Sequence, residues 1–181
     1  ATEHGFPHYT TWALAYRGWE LVAGEQVQEG LALLKQALVR FRSIGSAIPT
    51  VRLLMYLTQT YAKLGQSTEE RNCLEEAWRL IEVHDERLNE ADLHRISGEL
   101  LVARGDGFGA EQHYRQAIVI AELQSAKLFQ LRASTSLARL WRNQSKRAEA
   151  HDLLAPIYNW FTEGFDAPDL KEAKALLDEL A

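Results

Sequence analysis

The stretch "GELLVARGDGFGAEQHYRQAI" (residues 98–118) places three alternating glycines, Gly105, Gly107 and Gly109, directly before a helical pattern. A glycine-rich turn at a helix N-terminus is a common phosphate-binding arrangement. A P-loop requires Gly-Lys-Ser/Thr at the start of the helix, and no such tripeptide follows Gly109. A dinucleotide-binding fingerprint requires a preceding strand, whereas "GELLVAR" has the periodicity of a helix. We therefore interpret the stretch as a turn, in which Gly105 ends one helix and Gly109 opens the next.

The composition predicts an all-α protein. The chain has 181 residues, of which 46% are hydrophobic and 25% charged, as in ordinary globular chains. Strong helix formers dominate between its four prolines. Apolar residues recur at spacings of three and four, as in Leu53, Leu57, Tyr61 and Leu64, and no segment alternates convincingly with a period of two.

The sequence repeats with a period of 40 residues. Written in rows that begin at residues 11, 51, 91 and 131, its columns agree without a gap. The agreeing columns are Leu21, Tyr61, Leu101 and Trp141; Leu34, Leu74, Tyr114 and Leu154; Ala37, Ala77, Ala117 and Ile157; the small residues Gly18, Thr58, Gly98 and Ala138; and, at the turn, Glu25, Gly65, Gly105 and Ser145. Each row contains two amphipathic helices, which bury their apolar faces only against neighbouring rows. The sequence therefore predicts an α-solenoid of about four helix–turn–helix repeats.

One more helix follows the fourth row, in "FDAPDLKEAKALLDELA" (residues 165–181). Asp166 or Asp169 can cap its start, with Pro168 in its first turn. Its predicted apolar face is Leu170, Ala173, Leu176, Leu177 and Leu180, and its predicted water-facing side is Lys171, Glu172, Lys174, Asp178 and Glu179. We predict a single repeat domain over residues 1–181, with repeats at about 8–47, 48–87, 88–126 and 127–165 and a capping helix at about 166–181.

The rows resemble the tetratricopeptide repeat (TPR), a helix–turn–helix unit of about 34 residues. The third row carries the pattern best, in Gly98, Leu101, Gly105, Ala110, Tyr114 and Ala117. The first row departs most, because Glu25 stands in the turn column and Gly30 replaces the usual alanine. The resemblance implies stacked helix pairs whose first helices line a concave groove. The longer period implies longer helices or longer connections between repeats.

A narrower resemblance covers about the last 95 residues. The segments 92–121 and 136–180 resemble the C-terminal TPR region of large bacterial regulators that carry an ATPase module, often behind an adenylate/guanylate cyclase domain. This resemblance implies a signalling context and brings no catalytic residue, because the cyclase and ATPase motifs would lie upstream. Since Met55 is the only methionine and the chain begins at Ala1, we expect it to be a piece of a larger protein. The resemblance implies that this protein ends at or near Ala181.

No pattern predicts a catalytic, metal or cofactor site. The single cysteine, Cys73, excludes an intrachain disulfide and a cysteine-based zinc site, and it fits a reducing, cytoplasmic location. His4 and His8 lie near the N-terminus, and the other histidines are spread over different repeats, so we interpret all of them as packing or surface residues. Those others are His84, His94, His113 and His151. The net charge of −5 argues against nucleic-acid binding, and no uncharged stretch approaches the ~18 residues of a membrane span.

The stripe of first-helix residues that would line the groove is the candidate partner-binding site. Its predicted members are Trp12, Trp19, Arg52, Met55, Gln59, Arg95, Glu99, Arg132, Thr135, Arg139 and Arg142. The stripe is aromatic at its N-terminal end and rich in arginine at its C-terminal end. Arg132, Arg139 and Arg142 share one helix face and are candidates for binding carboxylates. The alternative is that Asp92 and Glu99 of the adjacent helix neutralise them.

We predict a non-catalytic interaction or regulatory module that holds a peptide or another domain of the same polypeptide in its groove, with acidic groups on the arginines. Two alternatives stay open. One is a small-ligand-sensing domain that controls an upstream cyclase or ATPase. The other is an arm for homo-oligomerisation.

Overall fold

The computed structural model describes residues 7–85 and 87–181, and these residues form an all-helical fold. The helices are α1 (Pro7–Ala23), α2 (Val27–Ile44), α3 (Ala47–Lys63), α4 (Ser67–His84), α5 (Glu90–Ala103), α6 (Gly107–Leu123), α7 (Lys127–Asn143), α8 (Arg147–Tyr158) and α9 (Pro168–Leu180). The second helices of the pairs begin at Val27, Ser67, Gly107 and Arg147, which are 40 residues apart each time. The predicted fold class, helix pairs with a period of 40 and a final helix, is confirmed.

The helices belong to two compact units, Ala1–Asn89 (unit 1) and Glu90–Ala181 (unit 2). In unit 1, consecutive helices pack against each other and α1 also contacts α3. Leu34, Phe41, Leu53 and Leu54 are fully buried there. In unit 2, consecutive helices pack in the same way, and α7 additionally contacts α5 and α9. The prediction of one domain over the whole chain stays a prediction.

The turn within each helix pair has one geometry, because a residue there adopts a left-handed backbone. The φ angles are 71° at Glu25, 68° at Gly65, 82° at Gly105 and 64° at Ser145. The following N–H then donates to a carbonyl five residues back, which closes the helix end. These bonds run from Gln26 to Leu21, from Gln66 to Tyr61, from Asp106 to Leu101 and from Lys146 to Trp141, at 2.9–3.0 Å.

Ser145, which adopts the left-handed conformation without being glycine, gives a prediction about stability. We expect Ser145→Gly to raise the free energy of unfolding by about 0.5–1 kcal/mol, because glycine adopts positive φ without the steric cost that serine bears. Gly105→Ala should lower it by a similar amount. Urea unfolding followed by circular dichroism measures both changes. The control is Gln144→Gly, at φ −91°, which relieves no strain; an equal gain there would contradict the prediction.

The opening glycine stretch differs from the prediction by two residues. Helix α6 begins at Gly107 rather than Gly109, because Asp106 is its N-cap and accepts a hydrogen bond from the N–H of Gly109 at 2.8 Å. Gly105 has the predicted left-handed conformation. A carboxylate therefore lies at the helix N-terminus where a phosphate would have to bind, and its charge opposes an anion.

The final helix, α9, closes the hydrophobic core of unit 2. Leu170, Ala173, Leu176 and Leu180 are buried in one cluster with residues of α7 and α8, including Leu137, Trp141, Leu154 and Ile157. Leu177 packs against the cluster while remaining partly exposed. Across the described part of the chain, helices long and apolar enough to cross a membrane are absent.

Candidate functional site

The three arginines of α7 are each paired with a carboxylate of α9. Arg132 forms a two-bond pair with Asp169, at 2.8 Å and 2.9 Å. Arg139 pairs with Glu172, and Arg142 pairs with Glu179. Arg147 of α8 also donates to the main-chain carbonyl of Glu179. The basic face of α7 is therefore neutralised within unit 2.

The carboxylates that pair with these arginines come from α9, whereas the alternative interpretation named Asp92 and Glu99 of α5. Asp92 and Glu99 both bind Arg95 of their own helix, at 2.7 Å and 2.5 Å. Glu99 accepts a hydrogen bond from the hydroxyl of Ser136 of α7, at 3.4 Å. Glu172 and Glu179 are exposed, as the sequence predicts, and they also make the pairs with α7. The reason is geometric: α9 begins 41 residues after α7 and stands beside it as a further first helix would.

A small polar cavity of about 210 Å³ lies between these side chains in unit 2. Its polar lining includes Glu99, Tyr114, Ser136, Arg139, Arg142 and Asn143, with Val102 and Leu140 as apolar walls. Burial raises the pKa of the Tyr114 hydroxyl above its usual range, with the charge of Glu99 adding to the effect. Tyr114 therefore stays protonated and can donate a hydrogen bond into the cavity.

Two of the predicted site residues lie in the interior. Met55 is 1% exposed. Thr135 is buried, and its hydroxyl donates to the carbonyl of Leu131 at 2.8 Å. Neither side chain offers surface to a partner. Arg52 and Gln59 of α3 are half-buried.

Unit 1 carries a set of aromatic side chains that we call the aromatic face: Tyr9, Trp12, Tyr16 and Trp19 of α1, and Tyr56 of α3. Trp12 stacks on Tyr16, with ring centroids 5.3 Å apart, and Trp19 stacks on Tyr56 at 4.5 Å. The indole N–H of Trp12 donates to Nε2 of His8 at 3.2 Å. Tyr9 is 70% exposed and Tyr16 is 53% exposed. The two tyrosines of α1 are thus exposed, and Trp12, Trp19 and Tyr56 are half-buried beside them.

A cleft of about 630 Å³ adjoins the aromatic face within unit 1. Its lining is mostly apolar and comes from the start of α1, the start of α3 and the end of α4. It includes His8, Trp12, Ala47, Ile48, Pro49 and His84. Ile48 is 47% exposed at its edge. The cleft extends the apolar surface of unit 1 beyond the aromatic rings themselves.

The sequence prediction found Trp12 and Trp19 but missed the tyrosines that complete the aromatic face. The signal was present, because Tyr16 and Tyr56 occupy one column of the 40-residue rows. The same column continues with Ile96 and Ser136 in unit 2, so the aromatic character is confined to the first two rows.

His94 and His113, interpreted as lying in separate repeats, form one pair in unit 2. Their Nδ1 atoms are 3.0 Å apart and their ring centroids 5.1 Å apart. Both rings are half-buried. Burial lowers the pKa of His94 to about 4, with His113 contributing, and burial also lowers the pKa of His113. Both imidazoles are therefore neutral at pH 7, and one Nδ1–H donates to the other Nδ1.

The remaining candidates have structural explanations. Burial raises the pKa of the Cys73 thiol to about 11, which keeps it protonated and unreactive at neutral pH. Within residues 7–85 and 87–181, three or more His, Cys, Asp or Glu side chains do not cluster at any point as they would in a metal site. His4 lies outside the described residues.

Comparison with known proteins identifies the fold. No protein-family model and no curated protein matches the sequence. A kinesin-light-chain-like protein of Podosopora anserina with nearly identical TPR-like repeats, solved also as a single-substitution variant, is 18% identical over 93% of this chain and 83% of its own, with a TM-score of 0.64. BtubC (BKLC) of P. vanneervenii is 14% identical over 97% of this chain and 90% of its own, with a TM-score of 0.62. The chain thus has the fold of TPR-like helical repeats.

Proposed function

We propose that this chain is a non-catalytic protein-interaction module whose partner binds the aromatic face of unit 1. The observation that carries the proposal is the difference between the two ends of the predicted stripe. At the α7 end, each arginine already has a carboxylate of α9 as its partner. At the α1 end, large aromatic side chains remain exposed. Exposed apolar patches of this kind are typical of interaction sites.

The partner segment that fits this face is apolar rather than strongly acidic. Stacked Trp and Tyr rings offer rigid area that loses little conformational entropy on binding, which is why such residues dominate binding hot spots. The adjoining cleft, with Ile48 and Pro49 in its lining, can take an inserted apolar side chain. Acidic groups on the arginines of α7 would first have to displace the carboxylates of Asp169, Glu172 and Glu179. That requirement makes an acidic peptide the weaker candidate.

The biological context rests on the resemblance of the C-terminal segments to bacterial cyclase–ATPase regulators. We propose that the module acts in the cytoplasm of a bacterium, as a regulatory scaffold for a signalling protein. Its partner is then a separate protein or another domain of the same polypeptide.

The test is site-specific photo-crosslinking in the full-length protein in its own cells. A benzoylphenylalanine at position 16 should crosslink to a protein or to another domain of the chain. The matched control places the same probe at position 108, because Phe108 is an exposed aromatic residue of unit 2 (77%). Trp12→Ala should weaken binding of the crosslinked partner on the order of thirtyfold, the usual effect of losing a hot-spot tryptophan.

Two results would contradict the proposal. One is equal crosslinking from positions 16 and 108, which would mean non-specific contact. The other is a partner whose affinity depends on Arg132, Arg139 and Arg142 rather than on Trp12. The triple substitution of these arginines with alanine is therefore measured beside Trp12→Ala, and we expect it to leave partner binding unchanged.

A second candidate function, small-ligand sensing, is favoured by the polar cavity of unit 2. Guanidinium groups, a carboxylate and hydroxyls converge on about 210 Å³ there, which suits a small polar molecule carrying both charges. A thermal-shift screen with nucleotides and metabolites tests it. A reproducible shift that disappears in Ser136→Ala would favour this function over the first.

A further inference from the structure

The pair formed by His94 and His113 has the geometry of an incomplete metal site. The two residues lie on α5 and α6, which pack against each other as one helix pair of unit 2. Their Nδ1 atoms face each other at 3.0 Å. In the hydrogen bond, one proton lies between the two Nδ1 atoms. A metal ion can take the place of that proton.

The spacing is close to what a metal requires. Imidazole nitrogens bind Zn²⁺ at about 2.0–2.1 Å, so two of them on a tetrahedral ion stand about 3.3 Å apart. The observed 3.0 Å separation needs a change of only about 0.3 Å to reach this value, which a small rotation of each ring supplies. The centroid separation of 5.1 Å agrees with the value of about 5.2 Å that the same tetrahedral arrangement gives.

The protonation state also favours metal binding. A metal-ligating histidine must be neutral, and burial keeps both imidazoles neutral at pH 7. Binding moves the shared proton from Nδ1 to Nε2 of the same ring, so that both rings present a lone pair at Nδ1 and carry a proton at Nε2. The exchange releases no proton and changes no oxidation state.

We propose that His94 and His113 bind a divalent late transition-metal ion, Zn²⁺ or Cu²⁺, through their Nδ1 atoms and thereby link α5 to α6. Neutral imidazoles prefer these ions over Mg²⁺ and Ca²⁺, which require oxygen ligands. Two protein ligands leave the remaining coordination positions to water. The site is therefore an exchangeable one.

The experiment is titration of the full chain with Zn²⁺ and Cu²⁺, with Mg²⁺ as the negative control. We expect one ion per chain, and at about ten times Kd a rise in Tm of roughly 3–5 °C. In protein with ¹⁵N-labelled histidine, Zn²⁺ should shift the Nδ1 resonances of both residues and leave protons on both Nε2 atoms. A purely structural pair would show neither change.

Substitutions make the assignment specific. His94→Asn and His113→Asn should each abolish the Tm rise, and His151→Asn should retain it, because His151 is exposed on α8. The Tm of each variant without metal reports its folding separately, and the resonance of the remaining histidine is read directly in any folded variant. Retained binding in both single variants, or a wild-type chain whose Nδ1 resonances do not respond to Zn²⁺, would overturn the proposal.

Discussion

Gly30→Ala is expected to lower the free energy of unfolding by about 2–4 kcal/mol, although alanine is the better helix former. Gly30 lies in α2 where that helix crosses α1. A Cβ atom there would stand 2.5 Å from the main-chain oxygen of Gly18 and 2.7 Å from Cγ2 of Val22. Because the first of these contacts is with main chain, no side-chain rotation relieves it. The two helices have to move apart, and the closely packed residues around the crossing lose contact.

The matched control is Gly24→Ala, near the end of α1. Its added Cβ would lie 3.4 Å from the nearest atom, which is ordinary contact distance. We expect Gly24→Ala to be neutral or to stabilise by up to about 1 kcal/mol, because it gains helix propensity without a clash. Urea unfolding of both variants measures the two changes in the free energy of unfolding. If Gly30→Ala is as stable as Gly24→Ala, the crossing of α1 and α2 is not as close as described.

The same position illustrates what the repeat pattern predicts well. Comparison of the rows marked Gly30 as a departure from the usual alanine and Gly18 as a member of a small-residue column. Those columns record which positions lie at helix crossings, since only small residues fit there. A row comparison does not give the distance between two helices. The main-chain contact that requires glycine at residue 30 therefore appears only in the structure.

Turn geometry was predictable for a related reason. Glu25 and Ser145 adopt the same left-handed conformation as Gly65 and Gly105. The register of the flanking helices determines this conformation, and glycine only lowers its steric energy. The column therefore predicted the turn even where its residue type did not.

The partners of the α7 arginines were harder to predict because they lie in the last helix. Sequence periodicity assigned both the apolar face and the exposed side of α9 correctly, but it did not predict that Glu172 and Glu179 on the exposed side pair with arginines of α7. Continuing the 40-residue rows would have placed these two residues in the columns of Arg132 and Arg139. The histidine pair was missed for a simpler reason. His94 and His113 belong to the same row, 11 residues before and 8 residues after Gly105, whereas the sequence interpretation placed them in different repeats. The packing of α5 against α6 brings them together.

Arg95→Leu is expected to destabilise the protein by about 3–4 kcal/mol, because it leaves a buried carboxylate without its closest guanidinium. The Asp92 side chain is 6% exposed and that of Arg95 is 14% exposed, and they lie 2.7 Å apart. Burial alone would lower the pKa of Arg95, but Asp92 and Glu99 outweigh it and hold that pKa above its usual range. Arg132 also attracts Asp92, which keeps the expected loss below the upper end for buried pairs.

The control for Arg95→Leu is Arg115→Leu on the neighbouring helix α6. Arg115 pairs with Glu111 at the same spacing as Arg95 with Glu99, but its side chain is 57% exposed. Exposed pairs of this kind contribute little, so we expect a loss below about 1 kcal/mol. Urea unfolding at neutral pH compares the two variants.

A double variant separates the charge from the packing. If the unpaired Asp92 carboxylate causes the loss, Asp92→Asn added to Arg95→Leu should restore about half of it, since the amide carries no charge to desolvate. If Arg95 acts mainly through the packing of its aliphatic stem, the second substitution should add a further loss. Recovery would show that the Asp92–Arg95–Glu99 cluster stabilises unit 2 through the Asp92–Arg95 charge pair, whose disruption leaves an uncompensated buried carboxylate.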